Sequence, residues 1–430
     1  MIKYMTSDDI VGVATPPGRG GVSIVRISGS RSHRILQNIF VSDKPLSFRE
    51  LTFGKVKTEH FEDSVLAVIF CAPHSYTGEN IAEIHCHGSP IVVECILQSI
   101  LNQGCKMAQR GEFTRRAVLN GKMDLIQAEG IIDRIDADST QQIVQSGYLL
   151  DGALSQQVND LQSVLLDCLA RCEVALDYPE ENLDFDIKNQ LQLKLTGIAA
   201  VIDAMLDGYR RGRLIKEGVR VVLAGSPNVG KSSMLNALLG YDRAIVNEKP
   251  GTTTDVIRES YQYNGVKFIL SDMAGLRQAK ANIEKQGVQR SFVEIESADV
   301  IVCFDHHFAD DSRSILITNK ADLQQTTVSK FRLGVSAKYG LNIDNLKQLV
   351  YNKSIGQNRQ SAVLNNMRHF DALKSAKHSV HLALDALHIT TLECVSIDIK
   401  AAWVAVKSLT GLALTEQILD EIFSRFCVGK

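Results

Sequence analysis

The segment that most restricts the fold of this chain is RVVLAGSPNVGKSSMLNALLG, residues 220–240. An apolar run typical of a strand leads into a glycine-rich turn and then a helical run, and the turn matches G-x-x-x-x-G-K-[ST]. In such a turn, backbone N–H groups surround phosphate oxygens, a lysine neutralises their charge, and a serine hydroxyl can bind Mg²⁺. The segment therefore predicts a P-loop α/β domain that binds a nucleoside triphosphate. The residues expected to contact it are Asn228, Val229, Gly230, Lys231, Ser232 (also a Mg²⁺ ligand) and Ser233.

The base of the nucleotide is indicated by ILITNKADL, residues 315–323. The carboxylate of Asp322 can accept two hydrogen bonds, from the N1–H and the 2-amino group of guanine. Adenine lacks both donors and would leave a buried carboxylate unpaired, which is costly. The later loop VSAKYG, residues 335–340, is expected to meet guanine O6, so the predicted nucleotide is GTP. The expected contacts in these two segments are Asn319, Lys320, Asp322, Ser336, Ala337 and Lys338.

Two further segments complete the predicted nucleotide site. FILSDMAGL supplies Asp272 for the Mg²⁺ shell and Gly275 for the γ-phosphate, and NEKPGTTTD supplies Thr253 as a second Mg²⁺ ligand. In Ras-like GTPases a glutamine after the glycine orients the attacking water, but here that position is Leu276. Another group must therefore position the water and stabilise the developing charge.

Composition limits where the protein acts and what it binds. The chain has 430 residues, of which 45% are hydrophobic and 22% charged, with a formal net charge of −2. These values are typical of a globular chain of two or three domains, and a nucleic acid would have to bind a local patch. No run of about 18 apolar residues could span a bilayer, and the N-terminus lacks the apolar core of a signal peptide. We expect a cytoplasmic protein that does not bind membranes, with its nine cysteines reduced.

The spacing of apolar residues changes three times along the chain. Residues 1–120 alternate strand-like and helical runs, whereas residues 121–217 carry apolar residues every three or four positions, which is typical of long helices. Strand–helix alternation returns over residues 218–354, and residues 355–430 are helical again. The predicted architecture is a multidomain chain of α/β and all-α parts. It has an N-terminal α/β domain, a helical domain in two segments, and a Ras-like P-loop G domain inserted between those segments.

Several stretches together resemble the MnmE (TrmE) family of tRNA-modification GTPases. They are DDIVGVATPPGRGGVSIVRISG, SYTGENIAEIHCHGSP, RGEFTRRAVLNGKMDLIQAE, GSPNVGKSS with GTTTD, and the terminal FCVGK. The resemblance covers essentially the whole chain. It implies that the N-terminal domain binds a tetrahydrofolate derivative, in the 5-formyl or methylene form, and forms a homodimer. It also implies an MnmG-type FAD-containing partner in a heterotetramer, which installs an aminomethyl-type group on C5 of the wobble uridine of certain tRNAs.

The resemblance also assigns roles to residues at the two ends of the chain. The positions that match the folate-binding residues of the family are Arg26, Glu83, Lys122 and Lys430. Ile422, Phe423 and Phe426 are expected to anchor the last helix in the helical domain. That arrangement would leave Cys427 and the tail at the folate site, where Cys427 is expected to take part in, or to line, the one-carbon chemistry. The alternative is that Cys427 packs at the end of the helix as a small hydrophobic residue.

In the G domain, the resemblance accounts for the missing glutamine. Members of the family bind K⁺ beside the phosphates, and a cation there can do the electrostatic work of an arginine finger. The matching K⁺ ligands are the side chain of Asn228 and the backbone oxygens of Asn247, Lys249 and Thr252, of which Asn247 and Thr252 are also expected to contact GTP. Glu284 matches the catalytic carboxylate that acts on the attacking water.

Three features depart from the family pattern. The family usually has arginine where Thr254 stands and threonine where Met273 stands, so we expect slower hydrolysis or weaker coupling. The connection 305–313 between two apparent strands has nine residues, whereas a parallel crossover normally takes about a dozen or more. One face of the G-domain sheet is therefore expected to be thinly covered.

Two other functions remain open at the level of the sequence. A ribosome-assembly or signalling GTPase without tRNA chemistry accounts equally well for residues 218–350, but not for the N-terminal stretches or the tail. A folate-dependent aminomethyltransferase with a regulatory G domain would act without a flavoprotein. The basic stretch YRRGR, residues 209–213, is interpreted as a hinge rather than as an RNA contact.

Overall fold

The computed structural model describes residues 8–177, 184–240, 259–272, 294–306, 310–323, 332–356, 364–411, 416–427 and 429. The chain forms two compact units. One contains Met1–Ile132 and Lys407–Lys430, and the other contains Asp133–Val406. None of the described helices is long and apolar enough to cross a membrane.

The order of the described helices and strands follows the pattern expected from the sequence. The described helices are α1 Ser32–Ile39, α2 Pro90–Leu101, α3 Glu112–Leu119, α4 Leu125–Ile135, α5 Thr140–Leu150, α6 Ala153–Asp177, α7 Asp184–Asp207, α8 Tyr209–Glu217, α9 Lys231–Leu239, α10 Ile343–Ser354, α11 Met367–Ala386, α12 Leu392–Leu409 and α13 Glu416–Ser424. The strands are β1 Ile10–Val13, β2 Gly20–Ser28, β3 Phe40–Val41, β4 Thr52–Lys57, β5 Glu62–Phe70, β6 Ile81–Gly88, β7 Lys106–Met107, β8 Val219–Ala224, β9 Glu259–Tyr263, β10 Val266–Asp272, β11 Val300–Cys303, β12 Ser314–Thr318 and β13 Leu333–Gly334.

The first unit contains a seven-stranded sheet in the order β3-β4-β5-β6-β2-β1-β7. Its strands are antiparallel apart from the β1–β7 pair. Strand β6 shows how alternation divides the two faces, because Ala82, Ile84 and Cys86 enter the core that also holds residues of α1 and α2. Glu83, His85 and His87 alternate with them and are partly or fully exposed. These three polar residues therefore share the opposite face of the strand.

The second unit contains a six-stranded sheet in the order β13-β12-β11-β8-β10-β9. All neighbouring strands are parallel except the β9–β10 hairpin. One face packs on α9 and α10 through a core that includes Val221, Leu223 and Leu346. This topology is the inserted Ras-like α/β domain that the sequence predicts.

The other face of this sheet carries a smaller apolar cluster. It contains Val222, Ala224, Ile295, Ala298, Ile301 and Cys303. Strands β11 and β12 pair in parallel although their connection is short, and residues 304–306 and 310–313 of that connection form turns and bends rather than a helix. The short segment 294–298 therefore supplies part of the cover on this face.

The long helices of the second unit bury the stripes that their periodicity predicts. On α6 the buried residues are Leu154, Val158, Leu161, Leu165, Cys168, Cys172 and Ala175. On α7 they include Leu191, Leu195, Ile198 and Ile202, whereas Met205 is only partly buried. Burial raises the pKa of the Cys168 and Cys172 thiols to about 11, so both remain protonated and act as small packing groups.

Candidate functional sites

The glycine-rich turn between β8 and α9 forms a P-loop around the ammonium of Lys231. Lys231 Nζ donates to the carbonyl oxygens of Gly225 and Ser226, each at 2.8 Å. The loop turns through Asn228 and Gly230, which have positive φ values of 64° and 95°. Asparagine and glycine tolerate this left-handed backbone better than other residues. The sequence thus produces a loop whose lysine is already held at the start of α9.

The loop that follows β12 and the loop that follows β13 are joined to the P-loop by Asn319. Its amide nitrogen donates to Val229 O at 3.0 Å, and its amide oxygen accepts from Ala337 N at 3.2 Å and from Lys320 N at 2.9 Å. The three segments that the sequence assigned to phosphates and base therefore meet at one edge of the sheet. This is the edge at which the parallel strands end, where ligands bind in open α/β sheets.

Asp322 has the chemistry needed for a guanine base. Its Oδ1 accepts a hydrogen bond from Ser336 Oγ at 2.6 Å, which orients the carboxylate. A carboxylate offers about four acceptor sites, so this contact leaves capacity for two donors from the base. Lys338, on the same loop as Ser336, places its ammonium 5.1 Å from the centroid of the Tyr339 ring. The described part of the site fits a guanine nucleotide.

Several residues assigned by the sequence lie outside the described residues. They are Asn247, Lys249, Thr252, Thr253, Thr254, Met273, Gly275, Leu276, Glu284 and Lys430. Asp272 ends β10, but its side chain is likewise not described. Among the described residues, no group of three or more histidine, cysteine, aspartate or glutamate side chains could hold a metal ion. The roles of these residues in GTP, Mg²⁺ and K⁺ binding and in catalysis stay predictions.

Asp305 is a polar neighbour of the P-loop that sequence reasoning missed. Its Oδ2 accepts hydrogen bonds from Ser226 N at 2.8 Å and from Ser226 Oγ at 3.0 Å. The available signal was positional, because Asp305 comes two residues after β11, which lies beside β8. This position can be used for a prediction only if the order of the strands in the sheet is known, and the P-loop motif does not give that order.

A second polar site lies in the first unit, on the face of the sheet opposite the core that holds residues of α1 and α2. Arg26 on β2 is paired in register with Glu83 on β6, and Arg26 Nε lies 2.7 Å from Glu83 Oε1. The two side chains are only 17% and 14% exposed. The guanidinium carbon lies 5.5 Å from the Tyr76 ring centroid and 5.7 Å from that of Phe113. Strand pairing and two aromatic rings thus fix the orientation of Arg26.

The charge of Glu83 is stabilised although the residue is partly buried. Burial by itself raises the pKa of Glu83, but the hydrogen bond from His85 and the charge and hydrogen bond of Arg26 outweigh it. The pKa therefore lies below its ordinary value, and the carboxylate is ionised at neutral pH. His85 Nε2 lies 3.4 Å from Glu83 Oε2. Two of the predicted folate-binding residues are thus in direct contact.

The C-terminal tail docks on this site. Arg26 Nη1 donates to Gly429 O at 3.3 Å, and Gly111 N donates to Cys427 O at 3.3 Å. Gly429 has φ of 98°, and a Cβ atom there would lie 2.0 Å from Val13 O. A glycine is therefore required where the tail crosses β1. The thiol-bearing residue Cys427 is exposed.

Two other features define the surroundings of the tail. Phe423 and Phe426 are buried with Leu125 and Ala128 of α4, within the compact unit that holds the seven-stranded sheet. Lys122 Nζ donates to Pro73 O at 2.9 Å, at the start of the loop that also carries Tyr76. The structure thus brings Arg26, Glu83 and the tail together, and it places the ammonium of Lys122 against the neighbouring loop that carries Tyr76.

Comparison with known proteins identifies relatives over the whole chain. The family model of the GTP-binding protein TrmE N-terminus matches residues 9–122, and that of the MnmE helical domain matches residues 125–427. The tRNA modification GTPase MnmE of Natranaerobius thermophilus is 34% identical and covers 99% of this chain and 100% of its own length. The protein of the same description from Alkaliphilus oremlandii is 38% identical, with coverage of 98% and 99%. The FeoB G domain from Methanococcus jannaschii is 25% identical over 32% of this chain and 97% of its own, with a TM-score of 0.24.

Proposed function

The chain belongs to the MnmE family, and from this premise we propose that it is a cytoplasmic GTP hydrolase that acts in tRNA wobble-uridine modification. The observation that carries the proposal is the convergence of the P-loop, Asn319 and the Ser336 loop at one sheet edge in a chain with full-length relatives of this description. A GTPase switch without tRNA chemistry would leave the matched N-terminal region without a role.

The described residues bind GTP through complementary charge and hydrogen bonding. Lys231 neutralises the phosphates, and Asp322 accepts the donors of the guanine edge. Ser232, Thr253 and Asp272 would hold Mg²⁺, while Asn228 and the backbone oxygens of residues 247, 249 and 252 would hold K⁺. Both cations supply positive charge beside the phosphates when bound. Glu284 is proposed to act on the attacking water.

The Arg26–Glu83 site is proposed to bind a tetrahydrofolate derivative in the 5-formyl or methylene form. Glu83 is ionised and can accept from the amino-pyrimidine edge of the pterin, and Arg26 with its flanking rings suits a planar, polar ligand. Lys122 and Lys430 would complete the site. The docked tail supports a role for Cys427 in the one-carbon chemistry, because Gly429 contacts Arg26 directly.

The proposed assembly is a homodimer that works with an MnmG-type FAD-containing partner, in a heterotetramer. Together they install an aminomethyl-type group on C5 of the wobble uridine. The deciding experiment incubates the purified chain with unmodified tRNA, GTP, the folate derivative and an ammonium salt, with and without the flavoprotein. Modified nucleoside, measured by mass spectrometry, is expected only when both proteins are present. Modification without the flavoprotein would contradict the proposal in favour of a self-sufficient aminomethyltransferase.

A separate assay tests the cation requirement in the absence of tRNA. GTP hydrolysis is expected to be much faster in KCl than in NaCl at equal ionic strength, because Leu276 cannot orient water as a glutamine would. Asn228→Ala should remove that difference, since it deletes the only proposed side-chain ligand. Equal rates in both salts for the unaltered chain would contradict the K⁺ assignment without affecting the GTPase assignment.

A further inference from the structure

Asp305 is brought to the P-loop by the register of two parallel strands. Ala224 at the end of β8 pairs with Cys303 at the end of β11. Two residues further along each chain, Ser226 and Asp305 lie side by side, and both the N–H and the hydroxyl of Ser226 donate to Asp305 Oδ2. The carboxylate therefore accepts hydrogen bonds from two atoms in the first turn of the P-loop, Ser226 N and Ser226 Oγ.

The same contact reaches Lys231 through a single peptide group. The carbonyl of Gly225 and the N–H of Ser226 belong to one peptide unit. The carbonyl accepts from Lys231 Nζ at 2.8 Å, while the N–H donates to Asp305 Oδ2 at 2.8 Å. An ammonium at one end and a carboxylate at the other polarise this peptide in the same direction, which strengthens both hydrogen bonds. Rotation of the peptide would break both contacts together.

Close packing limits the backbone conformations that the start of the P-loop can adopt. A Cβ atom on Gly225 would lie 2.8 Å from Phe304 Cβ, so β11 passes against the loop backbone. Phe304 N also donates to Ala224 O at 2.9 Å. The start of the P-loop is thus fixed by backbone pairing at Phe304 and by side-chain bonding at Asp305. Only the second of these can be removed by substitution without disturbing the sheet.

We propose that Asp305 is a positioning residue for nucleotide binding and hydrolysis, and this inference rests on the proposed GTPase function. It holds the Gly225–Ser226 peptide so that Lys231 is kept at the phosphates instead of sampling other rotamers. Asp305 acts on the nucleotide through the loop, because the two hydrogen bonds that its Oδ2 accepts both come from Ser226. The arrangement lowers the entropy that Lys231 loses when GTP binds.

The test uses the full chain with Asp305→Ala, Asp305→Asn and the control Asp310→Ala, which removes an exposed carboxylate from the same connection. Affinity and release rate are measured with fluorescent GDP and a non-hydrolysable GTP analogue, together with kcat, KM and thermal unfolding. Asp305→Ala is expected to weaken affinity about ten- to hundredfold, the range for losing hydrogen bonds to a charged group, and to lower kcat. Asp305→Asn should recover most of the loss, because its amide oxygen still accepts from Ser226 N.

The outcomes separate this inference from the proposed function. If the unaltered chain hydrolyses GTP and Asp305→Ala binds and hydrolyses it equally well, the inference is wrong and the function stands. An equal loss in Asp310→Ala would attribute the effect to net charge and would also overturn the inference. A fall in unfolding temperature with unchanged affinity and kcat would assign Asp305 a purely structural role. Absence of hydrolysis by the unaltered chain would instead count against the GTPase function.

Discussion

Asp322 is the side chain that we propose to select the base of the nucleotide. Ser336 Oγ orients the carboxylate from one side, at 2.6 Å from Oδ1. The loop that carries Ser336 is tied through Ala337 to Asn319, and Asn319 is tied to the P-loop. The segments proposed to bind the base and the phosphates are therefore joined by one network of hydrogen bonds. A change of the carboxylate should alter the choice of base while leaving this network intact.

Asp322→Asn is expected to weaken GTP binding by about 2–4 kcal/mol, because it removes a charged acceptor of two hydrogen bonds. The amide can instead donate to the 2-carbonyl of xanthine, so xanthosine triphosphate should bind more tightly than before. Titration calorimetry with both nucleotides measures the two changes. The control is Asp344→Asn, the same substitution at an exposed position in the first turn of α10, which should bind GTP normally. Unchanged GTP affinity in Asp322→Asn would show that the base is read elsewhere.

For single residues, the sequence predicts a role when the chemical type of the side chain determines that role. Lys231, Asn319 and Asp322 occur in fixed motifs, and the structure gives each of them a hydrogen bond to a neighbouring loop residue at one edge of the sheet. Asp305 could not be predicted, because its partners are a hydroxyl and a backbone N–H, and every residue except proline has such an N–H. Its role depends on the register of β8 against β11, which only the folded sheet provides.

Among the elements, the β9–β10 hairpin forms one edge of the G-domain sheet, and its tip contacts the start of α5. Asn264 and Gly265 form its two-residue turn, both with positive φ, as hairpins of this length favour. Gly265 O accepts from Gln141 N at 3.0 Å, in the first turn of α5. Lys267 Nζ lies 2.7 Å from Asp138 Oδ2 just before that helix. The hairpin tip thus satisfies an otherwise open N–H group of a helix N-terminus.

Gly265→Ala should detach this tip from α5. The new Cβ would lie 2.3 Å from Thr140 Oγ1, and alanine in a left-handed conformation adds a cost of about 1–2 kcal/mol. Faster amide hydrogen exchange is expected in peptides that cover residues 139–145, measured by mass spectrometry. Gly340→Ala is the control, since Gly340 has a similar φ of 70° but no described atom within 4 Å of a Cβ. Equal exchange in both variants would mean that backbone strain alone acts, without the contact.

Elements differ in how far their partners can be inferred from sequence. The stripes of α6 and α7 follow directly from a spacing of three to four residues, because burial of one face is enough to specify a helix. The Asn264–Gly265 pair is likewise typical of a hairpin turn. The contact of this turn with Gln141 cannot be inferred from the sequence of either the hairpin or α5. The 305–313 connection is shorter than is common for a parallel crossover, and the parallel pairing of β11 with β12 shows that the crossover forms nevertheless.

At the scale of the whole molecule, the two candidate chemistries belong to different compact units. The described nucleotide residues all lie within Asp133–Val406, whereas Arg26, Glu83 and Gly429 lie in the other unit. The boundary of the units falls at residues 132/133 inside α4 and at residues 406/407 inside α12, and the helical pattern of the sequence does not indicate it. Helical spacing reports burial of a face and does not report which partner covers it.

The division predicts that damage to the tail leaves GTP hydrolysis unchanged. Gly429→Ala places a Cβ 2.0 Å from Val13 O and forces the tail away from Arg26. Cys427→Ser removes the thiol but keeps the fold, because Cys427 is exposed. Both variants should hydrolyse GTP at the normal rate in the absence of tRNA. Reconstituted tRNA modification should fall about a hundredfold in Gly429→Ala, the loss expected when a reacting group is misplaced by roughly 1 Å.

The control for the tail is Gly104→Ala in the same unit, which has a positive φ of 88° but meets only Arg31 side-chain atoms at 3.7 Å or more. It carries the same backbone cost without displacing the tail, so modification should continue. Truncation after Phe426 keeps the aromatic anchor and removes only the last four residues, so it isolates the contribution of the tail itself. Normal modification by the truncated chain would show that Arg26 and Glu83 act without the tail. Loss of modification in Cys427→Ser with normal folate binding would place the defect in the one-carbon chemistry, because the contact between Gly429 and Arg26 does not involve the thiol.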